Sequence, residues 1–137
     1  MSASLYNDAI MALARSKSGG GSLDSPDGVA EADNPLCGDR IRLQLAADAG
    51  RVAEIAHETR GCLLTEAAAA LVADGLRAYP LDGLDGLHDA VKAWLRGEIE
   101  DLPLSGLDAF TPVRAVRSRH ECVLLPFVAA AEAAREA

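Results

Sequence analysis

Arg40-Ile41-Arg42-Leu43-Gln44-Leu45 alternates polar and apolar side chains, the period of two that puts one face of a strand in a core and the other in water. Arg51-Val52-Ala53-Glu54-Ile55 keeps that period less cleanly. Between them, Ala46 to Gly50 holds Asp48 and Gly50, turn formers that fold the two runs into an antiparallel hairpin. Upstream, Gly28 to Asp33 reads as a short edge strand.

Around this sheet the pattern is helical. Leu5, Ala9, Ile10 and Leu13 share a face of an amphipathic helix over Leu5 to Arg15, and the serine- and glycine-rich Ser16 to Ser22 is expected to be a mobile loop. An alanine-rich helix runs from about Leu64 to Ala78 and is halted by Pro80. Another, from about Leu84 to Leu95, carries Leu84, Leu87, His88, Val91 and Leu95 on one face and ends at Gly97. Trp94 and Leu95 are expected in the core, and Asp82, Asp85 and Asp89 suit the dipole and solvation of that helix. Glu98 to Pro112 reads as a loop with short helical turns, followed by a last helix from about Glu121 to Glu136. Its Pro126 fits only a first turn, so this helix either begins near Leu124 or is kinked. The order predicts an α+β fold, a small antiparallel three-stranded sheet with helices packed on one face, as a single domain over 1–137.

The chain has 137 residues, half of them hydrophobic, enough to bury a core without disulfide staples. Its 13 basic and 21 acidic side chains leave a net charge of −8, which argues against nucleic acid and against an anionic membrane surface. The longest apolar stretches, such as Val123 to Ala131, fall short of the roughly 20 residues that cross a bilayer. Met1 to Arg15 lacks the basic start, apolar centre and cleavage site of a secretory signal, so a cytoplasmic setting is expected. Cysteines there are thiols.

Each of the three cysteines stands at a boundary between elements. Cys37 lies in Asn34-Pro35-Leu36-Cys37-Gly38-Asp39, a turn leading into the hairpin; Cys62 follows Gly61 ahead of the alanine-rich helix; Cys122 opens the last helix. A helix start favours thiolate at the latter two. With no Cys-x-x-Cys the spacing is a weak signal, and a free cysteine is as readily a small buried hydrophobe. Asp39 adds a hard oxygen beside Cys37, and a Cys, Asp, Cys, Cys set is compatible with four-coordinate zinc or an iron-sulfur cluster. Arg114, Arg117 and Arg119 bring positive charge near Cys122, either as a solvated face or to stabilise thiolate and assist docking.

These residues carry a resemblance. Cys37-Gly38-Asp39, Gly61-Cys62 ahead of Thr65-Glu66-Ala67-Ala68-Ala69-Ala70, and Arg119-His120-Glu121-Cys122 resemble, in order, the three motifs of the IscU/SufU/NifU-N-terminal family of iron-sulfur cluster assembly scaffolds. The long interval from Cys62 to Cys122 is similar to the SufU-like branch. The resemblance implies metal ligands at Cys37, Asp39, Cys62 and Cys122, zinc or an iron-sulfur cluster as cofactor, a cysteine desulfurase and recipient apo-proteins as partners, and sulfur transfer rather than classical enzymology. It implies Cys37 as sulfur acceptor on the SufU analogy and Cys122 on the IscU analogy. Glu121 stands where the family has His or Lys, the chaperone-recognition segment Leu-Pro-Pro-Val-Lys is missing before Cys122, and Ser16 to Ser22 replaces the family's Pro-Arg-Asn-x-Gly loop.

Two other readings stand beside it. One is a thiol-dependent enzyme pairing a cysteine with His57, His88 or His120. The other is a metal-free binding subunit that retains the fold.

Overall fold

A computed structural model describes residues 6–137; Leu5 of the expected first helix lies outside the described residues. Helix α1 (Asp8–Ser16) starts at Asn7, whose side chain accepts the Ile10 N–H at 2.9 Å. Strands β1 (Gly28–Asn34), β2 (Asp39–Asp48) and β3 (Arg51–Arg60) form one antiparallel sheet in the order β1-β2-β3. Helices α2 (Leu63–Gly75), α3 (Leu84–Leu95) and α4 (His120–Glu136) follow, with 3-10 turns at Leu81–Gly83, Leu107–Ala115 and Arg117–Arg119. No helix among the described residues is long and apolar enough to cross a membrane.

The alternation read in β2 sorts the two faces. Ile41, Leu43 and Leu45 are fully buried, while Arg40 is exposed and Arg42 spans Glu31 and Glu58 on the solvent side at 3.9 and 4.0 Å. Helices α2 and α4 pack on the inner face, α1 lies on α2 and α3 on α4. Ala67, Ala68, Ala69 and Ala70 are all fully buried, so the small side chains of α2 admit close neighbours around most of the helix, while Glu66 and Asp74 stay in solvent. Trp94 and Leu95 are buried, as expected.

Several boundaries differ from the sequence reading. The buried stripe of α1 is Ile10 and Ala14, with Leu13 half-buried; Ala9 faces solvent. Ser16 to Ser22 is held rather than free: the His57 N–H donates to the Gly19 carbonyl at 2.7 Å and the Gly21 N–H to the His57 carbonyl at 2.9 Å. That contact is possible because β3 runs past Ile55 to Arg60 and offers its outer edge to the loop. Helix α2 stops at Gly75, before Ala78, because the chain turns back to pair with β3: Val52 donates to Tyr79 at 2.9 Å and Ala78 to Val52 at 2.8 Å. Helix α4 neither waits for Leu124 nor stops at Pro126. It begins at His120 and continues through the proline, which has no N–H to offer the Cys122 carbonyl one turn back.

Strand β1 lies against α4 so closely that a Cβ on Gly28 would sit 1.9 Å from the Ala133 carbonyl oxygen. Gly28→Ala should therefore destabilise the fold by about 1–3 kcal/mol, since backbone rather than a flexible side chain must move. Gly86, on α3, has nothing within 4 Å of such a Cβ, and Gly86→Ala should stabilise by up to about 1 kcal/mol through helix propensity. Urea unfolding midpoints that move the same way in both variants would contradict this.

Candidate functional site

The site starts from Asp39, the first residue of β2, paired with Asn34 across the sheet. Strand alternation puts Asp39 on the same face as Ile41, inward, and it is 1 % exposed. The chain between the two strands is a tight turn: Cys37 and Gly38 donate to the Asn34 carbonyl at 3.2 and 2.8 Å, and Leu36 donates to the Asn34 side chain at 3.3 Å. The turn lifts Cys37 to the surface and leaves Leu36 at 92 % exposure.

One oxygen of Asp39 accepts the Cys62 N–H at 2.9 Å, fixing the start of α2 against the start of β2. A carboxylate at this helix start also suits the helix dipole. Gly61 makes room for it, because a Cβ there would lie 2.6 Å from the same oxygen. The other oxygen, Oδ2, is buried and has no hydrogen-bond partner among the described residues. A buried, unsatisfied carboxylate oxygen is costly on its own and is relieved by a cation.

Cys122 enters from α4, fully buried, with its Sγ 3.9 Å from that of Cys37. Ligand atoms of Cys37, Asp39 and Cys122 all lie within 4.8 Å of one another. Cys62 stands beside this trio rather than within it, its sulfur 3.5 Å from the Thr65 hydroxyl. Two sulfurs and an unsatisfied oxygen at such spacing, with a third sulfur alongside, suit the donor set of zinc and of an iron-sulfur cluster.

The thiols are electrostatically unequal. Hydrogen bonding from Cys122 brings the Cys62 thiol down to about 5 against the opposing effect of burial, with Thr65 assisting. Cys122 is driven up, first by that shared hydrogen bond and then by burial. The influence of the Cys122 thiol raises the Arg119 pKa.

Of the three arginines expected near Cys122, Arg119 is the one whose electrostatics the thiol influences. Arg114 is engaged elsewhere, lying 4.8 Å over the Trp94 ring and binding the Trp94 carbonyl and Glu100; Arg117 is exposed. The histidines also have other partners. His120 is buried with Nε2 on the Val113 and Arg114 carbonyls at 3.0 and 3.2 Å, which ties the start of α4 to the preceding 3-10 segment. His57 joins Thr59 and the Ser18 carbonyl, each at 2.8 Å, and burial lowers its pKa. His88 sits 3.3 Å from Asp89, and Glu121 is exposed. No described histidine hydrogen-bonds a cysteine, so the pairing that a thiol enzyme needs is not formed. Thr65 was not singled out in the sequence; its signal was its place three residues after Cys62, one helical turn on.

Residues 5–91 match the family described as the NifU-like N terminal domain. The chain is 26% identical over 133 residues to the iron-sulfur cluster assembly scaffold protein IscU of Thermotoga maritima, covering 96% of this chain and 94% of that one. It is 25% identical over 103 residues to the zinc-dependent sulfurtransferase SufU of Bacillus subtilis, covering 74% and 70%. Among solved structures it resembles the N-terminal part of a nitrogen-fixing NifU-like protein from Brucella abortus, with TM-score 0.87 and 30% identity over 96% of this chain and 93% of that one. A scaffold protein of the SUF system from Fervidobacterium islandicum shares the fold, with TM-score 0.86 and 20% identity over 95% and 96%.

In metal-free protein the alkylation rate of Cys62, followed by peptide mass spectrometry, should fall with a midpoint near pH 5 as the thiolate is protonated. Because the folded value lies below the unfolded one, the stability this ionisation gives is full above the ordinary thiol range and is lost as the pH falls toward about 5. Cys122→Ala should return the midpoint toward ~8.5. An unchanged midpoint would remove Cys122 as the cause.

Proposed function

The chain belongs to the NifU-like N-terminal domain family of iron-sulfur cluster assembly scaffolds, and we propose that it accepts sulfur from a cysteine desulfurase on Cys37. In this reading Cys37, Asp39, Cys62 and Cys122 hold zinc, or a transient iron-sulfur cluster as cargo for recipient apo-proteins. The observation that carries it is the buried, unpartnered Asp39 oxygen packed with the Cys122 and Cys37 sulfurs beneath an exposed turn.

Exposure supports Cys37 over Cys122 as the acceptor. A persulfide presented by another protein reaches Cys37 at the turn, whereas Cys122 is sealed under it. The Cys37 thiolate attacks the terminal sulfur of the donor's persulfide; a new S–S bond forms on Cys37, the donor's S–S bond breaks, and the donor cysteine leaves as thiolate. Bound zinc would keep the ligating thiols deprotonated and masked by coordination. Asp39 contributes an oxygen among sulfurs, a donor that grips a soft cluster less firmly than a further thiolate and so favours its departure. Arg119 supplies compensating positive charge beside the sulfurs in an acidic chain.

Anaerobically purified protein should carry close to one zinc per chain, or iron with matching sulfide. Replacing Cys37, Cys62 or Cys122 with Ser should weaken metal binding by more than the roughly 10–100-fold that loss of an outer partner costs. Asp39→Ala should make a reconstituted cluster more persistent, and faster release would contradict its role as the labile ligand. With a cysteine desulfurase and cysteine, Cys37→Ser should fail to gain a persulfide while Cys122→Ser still does; a persulfide retained in Cys37→Ser would overturn the assignment of the acceptor.

A further inference from the structure

The Cys37 and Cys122 sulfurs stand 3.9 Å apart, although one is on the surface and the other is fully enclosed. Cys122 is out of reach of an outside partner, but not of whatever Cys37 carries. We propose that Cys122 is a resolving thiol that attacks a persulfide on Cys37 and releases inorganic sulfide inside the chain. The inference rests on the acceptor role given to Cys37 above.

Loading leaves Cys37 as Cys37–S–SH, with its own Sγ still the sulfur nearest Cys122. Attack by the Cys122 sulfur on that inner atom forms a Cys37–Cys122 disulfide and breaks the persulfide S–S bond; the outer sulfur leaves as sulfide and takes the proton that Cys122 gives up. The outer sulfur is reduced by two electrons as the two cysteine sulfurs are joined, so no further oxidant or reductant enters the step. Attack on the outer atom would merely move the persulfide to Cys122. Two things favour the inner atom: it is the one in contact, and hydrosulfide is a weaker base than an alkyl thiolate and so the better leaving group. Cys62 is the more acidic thiol, but its sulfur lies outside the compact group formed with Cys37, so proximity and not acidity selects Cys122. Holding the attacking thiol a few ångströms away replaces a bimolecular encounter with an intramolecular step. A dithiol reductant then restores both thiols for the next round.

The test uses the full chain, made anaerobic and desalted free of small thiols after sulfur loading. Loading is done in parallel by cysteine desulfurase with cysteine and by inorganic polysulfide. Wild type should release sulfide in proportion to the Cys37 persulfide lost, with a Cys37–Cys122 disulfide appearing in the peptide map. Cys122→Ser should keep its Cys37 persulfide and release sulfide about tenfold more slowly or worse, as an intramolecular nucleophile is removed. A disulfide to Cys62, a persulfide moved to Cys122 without sulfide, or undiminished release from Cys122→Ser would each overturn the proposal. The wild-type disulfide map decides the matter even if Cys122→Ser fails to fold. Loading by polysulfide alone, followed by sulfide and the Cys37–Cys122 disulfide, would remove the desulfurase from the proposed function and leave the resolving step standing.

Discussion

The hydrogen bond from the Cys62 backbone to the Asp39 carboxylate joins the first residue of β2 to the start of α2, two places that are 23 residues apart in the chain. Everything at this end of the molecule is arranged around it. It consumes one carboxylate oxygen, leaves the other buried and unanswered, and sets the depth at which Cys62 enters. It also fixes the residue beside Cys62 as glycine, since any Cβ there would strike the acceptor. A backbone N–H bonded to a charged acceptor is among the stronger hydrogen bonds of a fold, which suits one that must hold two elements in register.

What this contact organises is a gradient from water to core within a few ångströms. Cys37 is exposed, Cys62 half-buried and Cys122 enclosed, each contributed by a different kind of element: a turn, a helix cap and the third residue of a long helix. Thiols so placed differ in which reagents can meet them, and neighbouring hydrogen bonds separate them further by proton affinity. Such a separation suits the proposed uptake of reactive sulfur, which has to be kept from stray chemistry.

Much of this was legible in the residues. The period of two at Arg40 to Leu45 placed β2; Asp39, read as part of the turn, proves to be the strand's first residue and faces inward in step with that period. Helix α3 was bounded by its apolar stripe and Gly97 as it is in the structure. The motifs carried the gathering of the cysteines, which no local pattern could, because their intervals are long and their meeting depends on α4 crossing the sheet. Missed features share a physical cause: tertiary hydrogen bonds outweighed local preference. Ser16 to Ser22 reads as free chain until β3 lends it an edge, and α2 ends early because β3 claims Ala78 and Tyr79. The direction of Arg114 and His120 was equally hidden, since backbone carbonyls of the 3-10 segment and of α3 decide it. Pro126 sits within α4 because its neighbours are buried on every side, so packing offsets the hydrogen bond it forfeits.

The two edges of the sheet are treated differently. The outer edge of β3 is bridged by Gly20 at His57 and by Pro80 at Arg51, while among the described residues β1 pairs with β2 alone. An open edge strand is a template on which a second chain can grow a continuous sheet. Here it carries Glu31 and Asp33, is followed directly by Pro35, and belongs to a chain of net charge −8. Like charge and a missing donor therefore stand where strand addition between copies would begin, which disfavours self-association along β1 without spending any of the buried surface that shapes the thiol site.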